Sequence, residues 1–197
     1  MGNIGIIGRA RVGKDTAGQW LVDNRGYRRV AIADPLKDVA LKLDPIVSSG
    51  VGGDLRLSHV MDAGHGWDGA KDRFPEVRRT LQELGSAVRA LDEDFWLRQA
   101  LTKVQSANEA GVPCVITDVR YPNEAAALRR AGFHLIYIHR PDVEHLTHES
   151  EGALTARDAD HVVINNESLG SFHREIWLIA DRIQRIESRR HYGRSHS

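Results

Sequence analysis

Residues 4–16 read IGIIGRARVGKDT, and this stretch decides which fold we expect. Its first four residues are isoleucine or glycine and predict a short buried strand. A loop follows with a glycine at each end, Gly8 and Gly13, and then come Lys14 and the start of a predicted helix. A strand, a glycine loop, a lysine and a helix in this order form the layout that binds a nucleoside triphosphate.

The chemistry of this loop suits a polyphosphate. Glycine has no Cβ, so backbone N–H groups can turn inward around phosphate oxygens, and the helix N-terminus adds partial positive charge. Lys14 would bring a full charge to the β and γ phosphates. The alternative is a glycine turn that only joins a strand to a helix. The predicted nucleotide-binding residues of the loop are Gly8, Arg11, Val12, Gly13, Lys14, Asp15 and Thr16.

One position departs from the usual pattern. The residue after the lysine is ordinarily Ser or Thr and holds Mg²⁺, whereas here it is Asp15, with Thr16 one position later. A carboxylate can hold Mg²⁺ directly or through water, and the threonine hydroxyl can still reach a phosphate. We therefore predict Asp15 as a metal ligand.

Composition limits the class of protein. The chain has 197 residues, with 27 Lys plus Arg against 27 Asp plus Glu, so nothing global favours nucleic acid or an anionic membrane as a partner. Its single cysteine, Cys114, lies in an apolar run and is expected to be a small buried hydrophobe. No signal peptide and no apolar run of about 20 residues is visible, so we expect a cytoplasmic protein. The sequence leaves the choice between monomer and homodimer open.

Hydrophobic periodicity predicts an α/β architecture: a parallel sheet of about five strands with helices on both faces, in three layers. We expect one domain over residues 1–188, with a glycine-rich flap at 44–75, a polar lid at 140–160 and a disordered tail at 189–197. The predicted strands are 3–7, 29–33, 112–117, 133–138 and 161–164, and the predicted helices are 13–25, 34–43, 76–91, 94–109, 122–131 and 168–188.

Because ligands bind at the carboxyl ends of parallel strands, polar residues that follow strands are candidates for the site. Asp118 and Arg120 follow the apolar strand 112–117. Asp118 could bind Mg²⁺ through a water molecule and Arg120 could bind a phosphate, or the two residues could form a structural salt bridge. Asp34 and Lys37 follow the second strand, where Asp34 could instead be only a helix N-cap.

Further candidates lie on the predicted helix 76–91. Arg78 and Gln82 are four residues apart on one helix, so they could bind a substrate phosphate and base, or be a solvated pair. Arg79 and Glu83 are expected to be a solvated pair, and Gly85 is expected to leave room beside Gln82.

Three lid-side features complete the set. Arg140 enters the lid and could neutralise charge on a transferring phosphoryl group. Asn165 and Asn166 follow the last strand and could contact adenine or form a turn. His145 and His148 could share a helical face, but no third metal ligand has a fixed spacing, so a solvated lid is the default.

At this point the chain resembles the phage-type deoxynucleoside monophosphate kinases of the P-loop nucleoside monophosphate kinase group. The resemblance rests on segments in a fixed order along the chain: GKDT at 13–16, ADPLK at 33–37, RRTLQELG at 78–85, DFW at 94–96, DVR at 118–120 with Asn123-Glu124, and HESE at 148–151.

The resemblance implies an enzyme that transfers the ATP γ-phosphoryl group to a deoxynucleoside 5′-monophosphate, with Mg²⁺ and a closing lid. It assigns Lys14 to the ATP phosphates, Arg78 and Arg120 to the acceptor phosphate, and Arg140 to the transferred group. Asp118 would orient metal water or the acceptor. The alternatives are another small-molecule P-loop kinase, such as a dephospho-CoA or phosphomevalonate kinase, and a non-catalytic nucleotide-binding module.

Overall fold

The computed structural model describes residues 2–50, 53–143 and 153–194. The chain packs as two compact units. The sheet unit comprises Met1–Ala31 and Ala100–Ser197, and the helical unit comprises Ile32–Gln99. Each unit has its own hydrophobic cluster, and every predicted residue of the glycine loop belongs to the sheet unit.

The described elements follow one another along the chain as strands, helices and one 3₁₀ turn. They are β1 (Ile4–Ile7), α1 (Lys14–Arg25), β2 (Arg28–Val30), α2 (Asp34–Leu43), β3 (Ile46–Gly50), β4 (Gly53–Arg56), α3 (Leu57–Asp62), α4 (Gly66–Arg73), α5 (Pro75–Leu91), α6 (Phe95–Glu109), β5 (Cys114–Ile116), α7 (Pro122–Arg130), β6 (His134–His139), a 3₁₀ turn (Ala156–Asp158), β7 (His161–Ile164) and α8 (Leu169–Arg194).

The sheet unit is built on a parallel sheet in the order β2-β5-β1-β6-β7. β1 is the central strand, and Ile4 aligns with Val115 on one side and with His134 on the other. Ile4, Ile6 and Ile7 are fully buried, as expected for a strand covered on both faces. The chain leaves β1 toward β2 on one side, whereas β6 lies on the other, so the loop after β1 sits where the strand order reverses.

Helices cover both faces of this sheet. On one face α1 packs against α8, and their buried side chains join a cluster that includes Leu21, Ile136 and Ile176. On the other face α7 packs near Gly5, where an added Cβ would lie 3.3 Å from Leu128 of that helix. The predicted five-strand parallel sheet with helices on both faces is therefore confirmed, and the strand and helix boundaries shift by only one to three residues at most ends.

The helical unit differs from the prediction of a glycine-rich flap over residues 44–75. That segment holds the antiparallel hairpin β3–β4 and the helices α3 and α4. Its glycines lie at the boundaries of short elements: Gly53 begins β4, Gly64 follows α3 and Gly66 begins α4. All three have positive φ, which glycine adopts without a Cβ clash. Between them, apolar side chains pack into one cluster with α2 and α5. The buried members are Ala40, Val47, Leu57, Val60, Ala70 and Val77.

Two helix predictions need correction at their ends. Helical periodicity predicts an inward stripe on α5 that runs from Val77 to Leu91; Val77 is buried, but Leu91, the final residue of the helix, is 91% exposed. At the other end of the chain, α8 continues to Arg194 rather than ending at 188. An ion pair between Arg190 and Glu187, 2.8 Å long and one turn apart, supports the extra helical turns.

Cys114 is fully buried at the start of β5, and burial raises the pKa of its thiol. A buried thiol with a raised pKa is a poor nucleophile at neutral pH. The expectation that Cys114 is a small hydrophobe of the core is therefore confirmed.

Candidate active site

The loop between β1 and α1 needs glycine at both of its ends. Gly8 and Gly13 have φ values of 142° and 104°. A Cβ on Gly8 would lie 2.4 Å from the carbonyl oxygen of Ile138, and one on Gly13 would lie 2.8 Å from Nδ2 of Asn165. Arg11 also has a positive φ, 62°, which is unusual for a residue with a side chain. The loop therefore curves tightly against the backbone at Ile138 and the side-chain amide of Asn165, and only glycine fits at these two contacts.

Lys14, the first residue of α1, points back over the loop. Its Nζ donates hydrogen bonds to the carbonyl oxygens of Gly8, at 2.8 Å, and Arg9, at 2.6 Å. These bonds keep the ammonium group at the loop, close to the N-terminus of a 12-residue helix. Both features concentrate positive charge at one place.

Beside the loop lies a cavity of 370 Å³. Three of the side chains that line it, Arg11, Lys14 and Arg140, are cationic, and they come from two different segments of the chain. Cations that converge on a concave site favour an anionic ligand. The full lining consists of Arg11, Gly13, Lys14, Asp15, Thr16, Arg140, Asn165, Glu167, Leu169 and Phe172.

Asn165 connects the glycine loop to the sheet. Its Nδ2 donates a 2.9 Å hydrogen bond to the carbonyl oxygen of Val12, and its backbone N–H donates one of 2.7 Å to the carbonyl oxygen of His139. The side chain thus braces the loop. This role differs from both alternatives that the sequence suggested for Asn165, a contact with adenine and a turn. Asn166, in contrast, is exposed and outside the cavity lining.

The sequence did not single out Glu167, Leu169 and Phe172 as lining residues. Glu167 and Leu169 are exposed, and Phe172 is 3% exposed and contacts the core. Their position just after β7 was the available signal, because ligands gather at the carboxyl ends of parallel strands. The helical periodicity of residues 168–188 predicts that Leu169 and Phe172 both face inward; Phe172 does, whereas Leu169 is 59% exposed.

Asp15 and Thr16 contribute a carboxylate and a hydroxyl to the cavity wall at the start of α1. Both side chains are exposed, and the Asp15 Oδ1 accepts a 2.7 Å hydrogen bond from the Thr117 hydroxyl at the end of β5. One carboxylate and one hydroxyl form a hard-oxygen set that suits Mg²⁺, which commonly keeps several waters and binds one or two carboxylates together with substrate phosphates. Across residues 2–50, 53–143 and 153–194, no cluster of three or more His, Cys, Asp or Glu side chains could by itself hold a metal ion.

Asp118 and Arg120 lie just beyond β5, which is the neighbour of β1. Asp118 is half-buried, whereas Arg120 is exposed and its backbone N–H donates a 2.7 Å hydrogen bond to Oε2 of Glu124 in the first turn of α7. Neither residue is part of the cavity lining. Their predicted roles at the phosphates and the metal stay predictions.

The predicted acceptor residues of the helical unit lie on α2 and α5, which pack against each other. Asp34 and Lys37 are half-buried, with Lys37 Nζ 3.4 Å from Asp34 Oδ1 and 5.9 Å from the ring centre of Trp67. Arg78 and Gln82 are exposed, and Arg78 Nη2 lies 3.4 Å from Asp72 Oδ1. Their roles in substrate binding also stay predictions.

Two neighbouring predictions on α5 have clear outcomes. Arg79 forms exposed ion pairs with Glu76 and with Glu83, the latter at 3.0 Å, as expected of a solvated pair. Gly85 does not leave open space, because an added Cβ would lie 3.3 Å from Leu36 of α2. Its missing side chain serves the close packing of two helices.

The remaining lid predictions fall on residues that the structure does not describe. These are His145, His148, Glu149, Ser150 and Glu151. Residues 140–143 and 153–160 are the described parts of the predicted lid, and its closing motion stays a prediction. In the described part of the chain, no helix combines the length and apolar character needed to cross a bilayer.

Comparison with known proteins gives consistent matches. The sequence model of the family "Deoxynucleotide monophosphate kinase" matches residues 68–176. A protein of Acanthamoeba polyphaga mimivirus, provisionally named a deoxynucleotide monophosphate kinase, is 28% identical over 192 residues, which cover 90% of this chain and 95% of that protein. The deoxynucleotide monophosphate kinase of enterobacteria phage T4 is 33% identical over 97 residues, 47% of this chain and 40% of that protein.

Among solved structures, dephospho-CoA kinase from Campylobacter jejuni superposes with a TM-score of 0.54 at 12% identity, covering 95% of this chain and 100% of that chain. At that identity the likeness concerns the fold alone. The sequence matches confirm the family resemblance inferred from the ordered motifs, and the structural match agrees with the predicted three-layer P-loop fold.

Proposed function

The chain belongs to the deoxynucleotide monophosphate kinase family and is therefore a phosphotransferase, and we propose that it transfers the γ-phosphoryl group of ATP to a deoxynucleoside 5′-monophosphate. The products would be a deoxynucleoside 5′-diphosphate and ADP. The observation that carries the proposal is the convergence of Arg11, Lys14 and Arg140 on the cavity beside the glycine loop.

The donor site of this proposal is the cavity of the sheet unit. The curved loop and the N-terminus of α1 would receive the β and γ phosphates of ATP, with Lys14 releasing its carbonyl partners to bind phosphate oxygens. Leu169 and Phe172 offer apolar surface for the adenine, and Asn165 keeps the loop in its curved form beside them. A site of this kind combines apolar contacts with a few fixed polar groups.

Magnesium fits the oxygen donors of the same wall. Asp15 and Thr16 would hold it, the carboxylate directly or through water. When bound, the ion would neutralise part of the charge on the phosphate oxygens. Asp118, at the end of the neighbouring strand, would orient metal water or accept the proton of the acceptor.

Arg140 would face the transferred group. It lines the cavity at the carboxyl end of β6, and guanidinium groups stabilise the charge that spreads over the equatorial oxygens during phosphoryl transfer. For the acceptor, the family resemblance supports Arg78 and Arg120 at the monophosphate. Gln82, Asp34 and Lys37 would contact the sugar or base. A guanidinium can bind a phosphate bidentately, whereas a carboxamide can both donate and accept hydrogen bonds.

A coupled assay tests the proposal. The protein is supplied with ATP, Mg²⁺ and each deoxynucleoside monophosphate in turn, and ADP formation is followed. Dephospho-CoA and phosphomevalonate serve as control acceptors, because other P-loop kinases of this general layout act on such molecules. We expect ADP to appear only when a deoxynucleoside monophosphate is present. Turnover with a control acceptor alone would favour another small-molecule kinase, and ATP binding without any turnover would favour a nucleotide-binding module.

A further inference from the structure

Thr117 is a buried polar residue at the end of β5, and both branches of its side chain have a defined neighbour. It is 2% exposed. Its γ-methyl group lies against α1 at Gly18, where a Cβ would come within 2.3 Å of the methyl carbon. Any residue larger than glycine at position 18 would therefore displace Thr117 or the helix. The glycine lets the threonine stand directly against the helix that carries Asp15.

The hydroxyl of Thr117 reaches the N-terminal end of α1, where the ATP phosphates are proposed to bind. Its Oγ1 donates a 2.7 Å hydrogen bond to Oδ1 of Asp15 across a sequence separation of 102 residues. Asp15 belongs to the first turn of α1 and lines the cavity. A carboxylate has about four lone-pair positions, so this bond leaves others for a second partner.

We propose that Thr117 is the positioning residue of the candidate metal site: its hydroxyl fixes the Asp15 carboxylate in the orientation that binds nucleotide-bound Mg²⁺. The inference rests on the proposed function, since it concerns the metal that accompanies ATP. Asp15 stands at the position where the usual loop has a short hydroxyl residue. An exposed aspartate could rotate about χ1 and χ2, and a hydrogen bond from a buried, packed donor removes that freedom.

The two branches of Thr117 allow the positioning role to be separated from a packing role. Thr117→Val keeps the branched shape against Gly18 and removes the donor. Thr117→Ser keeps the donor and removes the methyl group, and Thr117→Ala removes both. If the hydroxyl positions Asp15, variants with the hydroxyl bind the metal more tightly than variants without it. If Thr117 only packs, protein stability depends on the methyl group, and metal affinity depends on neither the hydroxyl nor the methyl group.

The experiment measures metal binding without turnover. Mn²⁺ replaces Mg²⁺ as the paramagnetic probe, and its free concentration is followed by electron paramagnetic resonance with the protein in excess over a non-hydrolysable ATP analogue, so that little unbound analogue remains to chelate the ion. Affinity for the analogue in EDTA is measured separately by calorimetry. For Thr117→Val we expect Mn²⁺ affinity to fall by about 10-fold or more, the usual scale for losing a hydrogen bond to a metal ligand. We expect the metal-free affinity to change little, and Thr117→Ser to restore the Mn²⁺ affinity.

The controls keep the outcomes distinct. Asp15→Asn should weaken Mn²⁺ binding at least as much as Thr117→Val, and the double variant should be no worse than Asp15→Asn alone, because the hydroxyl acts through the carboxylate. If Thr117→Val does not fold, the Ser and Ala variants make the same comparison, since they differ only in the hydroxyl. Equal Mn²⁺ affinity with and without the hydroxyl overturns the inference and leaves the kinase proposal standing. Failure of the unmodified protein to bind the analogue at all overturns the kinase proposal itself.

Discussion

The side-chain amide of Asn165 donates a 2.9 Å hydrogen bond to the carbonyl oxygen of Val12, so a residue that follows the last strand holds the loop that follows the first. The two residues are 153 positions apart in the chain. A Cβ on the next loop residue, Gly13, would lie 2.8 Å from the same amide nitrogen, which is too close for a side chain. The curvature of the loop therefore depends on a contact between distant segments as well as on its glycines.

Replacing Asn165 should weaken nucleotide binding. Asn165→Asp removes the donor and places a negative charge in the cavity wall, so we expect ATP affinity to fall by about 10-fold, roughly 1.4 kcal/mol. Calorimetric titration with ATP measures the change. Asn166→Ala is the matched control, because Asn166 is exposed and outside the cavity lining. If both variants bind ATP as the unmodified protein does, the loop holds its shape without this brace.

Lys14→Ala should lower turnover by roughly 10³-fold or more, the scale of a single charged contact to a reacting phosphoryl group. Steady-state ADP formation measures the loss. Because Lys14 also bonds to the carbonyl oxygens of Gly8 and Arg9, a thermal melt should accompany the assay, to separate lost catalysis from lost folding. Lys103→Ala, at an exposed position of α6, serves as the control lysine. Turnover retained in Lys14→Ala would remove Lys14 from the mechanism.

Arg78 and its neighbour Arg79 form a matched pair on α5. Arg79 forms ion pairs with Glu76 and Glu83 at the surface. Arg78 Nη2 lies 3.4 Å from Oδ1 of exposed Asp72, and Arg78 carries the proposed acceptor role. We expect Arg78→Ala to raise the KM for the deoxynucleoside monophosphate by about 10-fold or more while the KM for ATP changes little, because one charge-assisted contact is lost.

Arg79→Ala should leave both KM values within about twofold of the unmodified protein, since exposed ion pairs contribute little. Initial rates over a grid of both substrates separate the two constants for each variant. Equal increases for ATP and acceptor in Arg78→Ala would argue against an acceptor site at this helix. An increase specific to Arg79→Ala would move the proposed role by one residue.

The part of the fold that sequence predicted well is the part in which local pattern and tertiary environment agree. The strand residues Ile4, Ile6 and Ile7 are buried on both sides, so an apolar run identified their strand. The glycine loop could also be identified from sequence, because Gly8 and Gly13 occupy positions where backbone geometry permits no side chain.

The helical unit was predicted less well because its elements are short. Between Asp44 and Phe74 each strand or helix has eight residues or fewer, too few for a clear period. The αL conformation of Asp44 and the hydrogen bond from the Ser58 backbone N–H to its Oδ1, 2.8 Å long, hold the turn between α2 and the hairpin. Such a contact joins residues 14 apart, and neither residue type signals it.

In the candidate site, sequence indicated positions but not pairings. The hydroxyl of Thr117 bonds to Asp15, and the amide of Asn165 bonds to Val12; both bonds join segments that only the completed sheet brings together. The position of Arg140 beside the cavity, in contrast, could be predicted from its place at the end of a strand. The rule that ligands bind at the carboxyl ends of parallel strands depends on topology and not on individual contacts.

The phenol of Tyr27 provides a test of the core through pH. It is 8% exposed and donates a 2.9 Å hydrogen bond to the carbonyl oxygen of Gly2, and burial raises its pKa from 10.0 to about 12, against a smaller opposing effect of Arg25. Below pH 10 the phenol is protonated in both the folded and the unfolded chain. Between pH 10 and 12 the unfolded chain loses the proton while the folded protein retains it, so the free energy of unfolding decreases.

Tyr27→Phe has no such proton, so its free energy of unfolding should lack this component of the decrease. Relative to Tyr27→Phe, the unmodified protein should therefore lose roughly 2 to 3 kcal/mol between pH 9 and pH 12, the value of a two-unit difference in pKa. Urea unfolding of both proteins at a series of pH values measures this difference directly, and other alkaline effects largely cancel in the comparison. Parallel curves for the two proteins would mean that the phenol ionises in the folded protein as readily as in the unfolded chain, and that its bond to Gly2 does not protect it from water.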